Sequence, residues 1–342
     1  MSFTAPLSGD QLRRCLRIAS GATLGFLLCK VMNWNYGVFF TVTPMLLLGT
    51  VPTLNRQVTL QLLAAPLVST LEVGLLGGIF GGYPLLMTPI VFGLFLYRFA
   101  CMSRGNLFLF GANGVLILSI MLHFASYPGT DLNDLFLSTL MGNAFSAMVA
   151  WLLASLFPDS EPPASPAPAP KPSHRLRHEA LLGATLATLS FVVFQICDLS
   201  DSMSAQATTL MLLFPMNWNG ALTYARKRAL GTLLGVGVGL GMQLLLYDWS
   251  GVLLLVTPLL WLGCMVLARI HVGEGGSGIG FGALSTLGIL FGQYLSPNRD
   301  LVFSALYRVS SIGVAIVVTL ALCYLLHQLL NRFEATRYGT QA

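Results

Sequence analysis

Apolar residues run through this chain in stretches long enough to cross a bilayer, and its polar positions gather in the short gaps between them. A spanning helix needs about 20 predominantly apolar residues. The first half of the pattern predicts helices over roughly 15–32, 36–52, 58–81, 84–102, 106–126 and 134–157. The second half predicts them over roughly 179–197, 203–217, 229–247, 251–269, 277–295 and 301–326. The fold class expected is an all-α integral membrane protein with about twelve transmembrane helices.

The longest interruption, 158–178, reads PDSEPPASPAPAPKPSHRLRH. Proline at nearly alternate positions favours extended, solvated backbone and forbids a packed helix, so this stretch is read as a linker. The chain then divides into a first six-helix membrane repeat at 1–157, a proline-rich linker at 158–178 and a second repeat at 179–342. Composition agrees with lipid as the solvent. Hydrophobic residues make up 55% against 9% charged, with a mean hydropathy of +0.75, too few charges to cover a soluble surface. The net charge of +5 lies in loops between apolar runs, which speaks against nucleic acid as a partner. Six cysteines stand singly in apolar segments and are read as packing residues.

Arg13, Arg14 and Arg17 before the first apolar run imitate a signal peptide, but further spans follow at once, so the run is taken as an uncleaved first helix. Numbering the loops, one side receives these three with Arg56, Arg98, Arg104, Lys171, Arg175, Arg177, Arg226, Lys227, Arg228, Arg269, Arg332 and Arg337. Asp131, Asp134, Asp198, Asp201, Asp248, Arg299 and Asp300 fall on the other. The positive-inside rule makes the first side cytoplasmic, with both termini and the linker there. A bacterial inner membrane is the expected location.

An even helix count per half gives both halves one orientation, and short correspondences link them. Gly21-Ala22-Thr23-Leu24 recurs as Gly183-Ala184-Thr185-Leu186, Pro44-Met45 as Pro215-Met216, and Thr88-Pro89 as Thr257-Pro258. Two parallel repeats about a pseudo-twofold axis along the membrane normal are expected, with a substrate route between them. Proline inside helices is expected at Pro44, Pro66, Pro89, Pro215 and Pro258.

Paired six-helix units, a basic turn after the second helix of a unit, and a glycine-rich third helix opening Arg228-x-x-Gly231-Thr232-x-x-Gly235 resemble the fusaric acid resistance and aromatic acid exporter superfamily. Plant aluminium-activated malate transporters are its distant relatives. The first half departs from the motif, with Ala64, Ala65 and Pro66 where the second half has glycines. The resemblance implies export of organic anions, commonly aromatic carboxylates, together with a periplasmic adaptor protein and an outer-membrane channel.

Charged residues within spans are costly and therefore candidates for function. Glu72, inside the third predicted helix, is either a proton carrier or one half of a structural ion pair. Arg308, inside the last, has a fork that suits a carboxylate, or it snorkels to the interface. Lys30, near the end of the first, reads as a snorkelling residue. Asn113 and Tyr307 could line a path or satisfy a neighbouring helix, and His123 reads as a solvated residue near the surface.

Enzyme chemistry finds no support: the sequence offers no paired carboxylates at a membrane face, no histidine cluster and no nucleophile elbow. The glycine run Gly273 to Gly278 lacks the strand and the Lys-Ser/Thr pair of a phosphate loop and reads as a flexible entrance to the eleventh helix. No cofactor or metal is expected. Proton-coupled efflux of organic acids is the leading expectation, with a passive anion channel or a non-transporting membrane scaffold as alternatives.

Overall fold

In the computed structural model the described residues are 7–339, apart from 52, 82, 128, 161–170, 198, 200–201, 247–248, 250, 277 and 295–300. Ten of the 21 linker residues, 161–170, and Asp198, Asp201, Asp248, Arg299 and Asp300 of the acidic loops therefore lie outside the described residues. The last six linker positions, 173–178, are helical and not the extended backbone expected of them. Twelve α-helices and no strand occur among those described. In chain order they are α1 (Gly9–Val31), α2 (Gly37–Thr50), α3 (Arg56–Phe80), α4 (Pro84–Arg104), α5 (Phe108–Ala125) and α6 (Leu132–Leu156). There follow α7 (Ser173–Ile196), α8 (Met203–Leu212), α9 (Trp218–Leu246), α10 (Leu253–Gly273), α11 (Ile279–Ile289) and α12 (Leu301–Asn331).

Eight of these, α3 to α7 with α9, α10 and α12, are long and apolar enough to cross a membrane. The chain is thus built as a multi-pass membrane protein. Helices α2, α8 and α11 are shorter, at 14, 10 and 11 residues. The run predicted at 203–217 ends at Leu212; Pro215, which has no N–H to continue the helix, lies in the turn that follows, and Met216 beyond it takes a left-handed conformation (φ 54°). Pro44, Pro66, Pro89 and Pro258 do lie within helices. Arg226, Lys227 and Arg228 are likewise displaced from the loop expected for them. Helix α9 starts ahead of them, where the Asn217 side chain accepts a hydrogen bond from the Gly220 N–H at 2.7 Å.

Two compact units make up the chain, each drawing on both halves of the sequence: Met1–Arg56, Ser138–Ser165 and Lys227–Val309 in one, and Gln57–Leu137, Pro166–Arg226 and Ser310–Ala342 in the other.

In the first unit α1 is started by a capping box, Ser8 and Gln11 each accepting from the other's backbone N–H. It packs on α2 and α10. Gly25 lets the α2 backbone at Phe40 come closer than any side chain would permit, the usual device of helices associating in lipid. The Trp261 indole of α10 donates to the Ser20 hydroxyl of α1 at 3.1 Å. Helix α11 begins beyond a tight glycine turn and is capped by Glu274, whose carboxylate accepts from the Gly280 N–H at 2.9 Å. It runs on into a π-turn over Leu290–Tyr294.

In the second unit α4 packs on both α5 and α7, and α8 lies against α5 and α7. Gln206 of α8 donates to the Ser119 hydroxyl of α5 at 2.8 Å. The residues after α12 fold back on α7 through a short 3-10 turn, Glu334–Thr336.

Candidate functional site

A buried ion pair inside membrane-length helices is the chemically distinctive feature of the second unit. Glu72 lies two turns from the end of α3, whose Leu60, Leu63, Leu67, Leu71, Leu75 and Ile79 form an exposed apolar stripe. Arg98 lies near the end of α4 and is wholly buried. Its Nη2 donates to Glu72 Oε2 at 2.8 Å, while the Glu72 side chain keeps 16% of its surface exposed.

The surroundings of Arg98 explain how a guanidinium is tolerated there. Its Cζ lies 4.3 Å from the Phe110 ring centroid and 5.7 Å from that of Tyr97, so two aromatic rings offer it cation–π contact. Gly114 of α5 makes the room: a Cβ there would stand 3.1 Å from Arg98 Cδ and Nε. The arginine Nε and Nη1 have no hydrogen-bond partner among the described residues. Two strong donors thus remain beside a carboxylate that already occupies a third, a geometry suited to exchanging one carboxylate for another.

Arg98 was hidden from sequence reasoning by the loop tally, which counted it as a topology charge. Its position within the predicted helix 84–102, followed by Phe99, Ala100, Cys101 and Met102, was the signal that could have found it.

Asn113 belongs to the same three helices but serves elsewhere. Its amide donates to the Leu62 carbonyl at 3.5 Å, ten positions before Glu72, or about 15 Å along α3. His123, expected to be solvated, is only 1% exposed and is boxed by the rings of Phe124, Tyr127 and Phe194.

The Arg228-x-x-Gly231-Thr232-x-x-Gly235 motif lies in the first unit and makes a helix crossing. A Cβ on Gly231 would stand 2.5 Å from the Ile279 carbonyl oxygen, and one on Gly235 equally close to that of Ala283, so the two glycines seat α9 on the backbone of α11. Arg228, 1% exposed, donates through Nη1 to the Gly282 carbonyl at 3.3 Å and to the Ser285 hydroxyl. Thr232 turns its hydroxyl back to the Arg228 carbonyl at 2.9 Å. The motif fastens two helices, using neutral acceptors for the charge.

Arg308 is buried at 2% exposure, whereas its neighbour Tyr307 is 41% exposed, so adjacent positions on α12 face different surroundings. Lys30 is half-buried in the last turn of α1 with its ammonium 5.9 Å from the Phe26 ring centroid, where a cation also suits the helix C-terminus. Five of the six cysteines are buried and all are free; Cys197 is exposed. Among the described residues no group of three or more His, Cys, Asp or Glu could hold a metal ion.

Over residues 14–155, less than half of the chain, the sequence matches a family described as a protein of unknown function, DUF2955. No curated protein and no solved structure matches it.

Proposed function

We propose that this protein is a transporter of organic anions, and the Glu72–Arg98 pair is the observation that carries the reading. A charge buried in a spanning helix costs several kcal/mol. A carboxylate that can take up a proton gives the pair a second state. While Glu72 is ionised it occupies Arg98; once protonated it lets go, and a substrate carboxylate takes its place on the free guanidinium fork. One proton is thereby tied to one anion. Arg308 and Lys30 are further cationic stations for the same class of substrate, with Tyr307 beside the first.

Aromatic carboxylic acids are the substrates proposed, with efflux as the direction. An anion that crosses with the proton on Glu72 moves no net charge, so outward flux is driven by the substrate's own concentration gradient and not by the membrane potential. The proposal includes an inner-membrane location with both termini cytoplasmic, supported by the segregation of basic and acidic loops in the sequence. It also takes the two six-helix halves as parallel repeats and expects a periplasmic adaptor and an outer-membrane channel as partners, supported by the sequence correspondences and the family resemblance.

A second reading, a fixed structural ion pair, is favoured by the Phe110 ring against Arg98. Flux of a panel of aromatic and aliphatic acids into proteoliposomes, with and without a pH gradient, separates the two. Glu72→Gln is expected to keep anion binding while abolishing the effect of the gradient, and Arg98→Lys to weaken binding at least tenfold. Flux and gradient response equal to wild type in both variants would leave only the structural reading.

A further inference from the structure

Where α7 begins and α12 ends, a chain of hydrogen bonds ties the C-terminal segment to the second unit, and its polarity can be worked out atom by atom. The Tyr338 N–H donates to Asn331 Oδ1 at 2.9 Å. The group that Asn331 turns to His327 Nε2, at 3.1 Å, is therefore its NH2, which can only donate. Nε2 of His327 must accept, so a neutral ring carries its proton on Nδ1 and donates it to His178 Nε2, 2.9 Å away. His178 in turn carries its proton on Nδ1 and donates to the Thr336 carbonyl at 2.7 Å. One arrangement of protons satisfies every partner, and in it both rings are neutral.

A proton added to either ring spoils the arrangement. On His178 it sits at Nε2 and faces the Nδ1–H of His327; on His327 it sits at Nε2 and faces the amide N–H of Asn331. Relief requires Asn331 to turn its carbonyl to His327 and so to abandon the Tyr338 N–H. The chain ends on a backbone carbonyl, which passes no proton onward, so it is suited to holding a segment and not to conducting.

We propose that His178 and His327 form a pH-sensitive latch, closed when both rings are neutral, that holds the segment 334–338 against α7 and releases it on acidification. The nearby charges do not substitute for the histidines. Glu179, beside His178 in α7, is held by Lys171 at 2.7 Å, Arg175 at 3.1 Å and the Ser103 hydroxyl of α4 at 2.7 Å. Arg175 also donates to the Tyr338 phenol at 2.8 Å, and burial pushes that phenol up, away from the neutral range. His174 reaches the Arg337 carbonyl at 3.1 Å at the exposed rim, where Glu334, Arg332 and Arg177 also lie. Of the other elements on α7, α8 has no titratable group, and α5 brings His123 to Phe194 near the opposite end of α7. Helix α4 carries Tyr97, Arg98 (paired with Glu72), Cys101 and Arg104.

Hydrogen exchange of the full-length protein in detergent, corrected for the intrinsic effect of pH, tests the latch. Protection of the amides of 334–338 should fall roughly tenfold between pH 7.5 and 4.5, the size expected from losing one or two hydrogen bonds. The window extends below that of a solvated histidine because His178 is fully buried and His327 partly so. Tyr338→Phe should keep that response, because its backbone N–H remains. The double variant His178→Gln/His327→Gln should lose it. Equal protection of the wild-type segment at both pH values would overturn the proposal without recourse to any variant, as would a wild-type response in the double variant or loss of response in Tyr338→Phe.

Discussion

Arg98 and Arg228 are the same side chain at nearly the same burial, yet their surroundings differ in kind. Arg228 is held by a carbonyl and a hydroxyl of α11, acceptors whose charge does not change with pH. Arg98 is held by a carboxylate, and two of its donors lack hydrogen-bond partners among the described residues. A buried cation fastened to neutral acceptors is a rivet; one fastened to a single ionisable group can be released. The difference lies in the acceptor and not in the arginine.

Arg98→Leu gives the largest effect expected from breaking this contrast. It strands the Glu72 carboxylate among apolar groups and costs about 3–5 kcal/mol, read as loss of unfolding free energy in mixed micelles. Adding Glu72→Gln to the same chain should recover most of the loss while leaving transport absent. At the α9–α11 crossing, Gly231→Val drives a side chain into the Ile279 carbonyl and should cost about 1–3 kcal/mol without changing how surviving flux responds to pH. Arg228→Lys keeps the charge and loses the fork, at about 1.5 kcal/mol, again with the pH response of flux unaltered. Glu274→Ala, which removes the cap of α11, should lower stability by about 1 kcal/mol. A pH response changed by Arg228→Lys would erase the distinction between the two arginines.

How much of this was legible depends on what each residue had to satisfy. Helix order could be read because a bilayer demands long apolar runs, and that demand is written into every segment separately. The early end of α8 was missed because hydropathy continues past Leu212 while Pro215, which stops the helix, was read as lying inside it like Pro44. Arg226 to Arg228 looked like a loop because three adjacent cations are rare in a membrane helix, and only the cap supplied by Asn217 shows the helix starting ahead of them. Glu72 was visible as an anomaly; its partner was not, because pairing between helices leaves no trace in spacing along one. The glycines of the α9 motif announced close packing, and the helix they pack against became known only from the fold.

Helix α8 has a consequence for how the protein is made. Its ten residues rise about 15 Å, half the hydrocarbon thickness of a bilayer, and every one of them is buried. With Ser204, Gln206, Thr208 and Thr209 among the ten, the segment is a poor substrate for independent partitioning into lipid during synthesis. Its Gln206 finds its partner on α5, a helix made well before it. Biogenesis of this stretch is therefore cooperative in time: α8 is retained in the membrane by protein already there, and damage to α5 should surface as misinsertion of a segment more than 70 residues downstream.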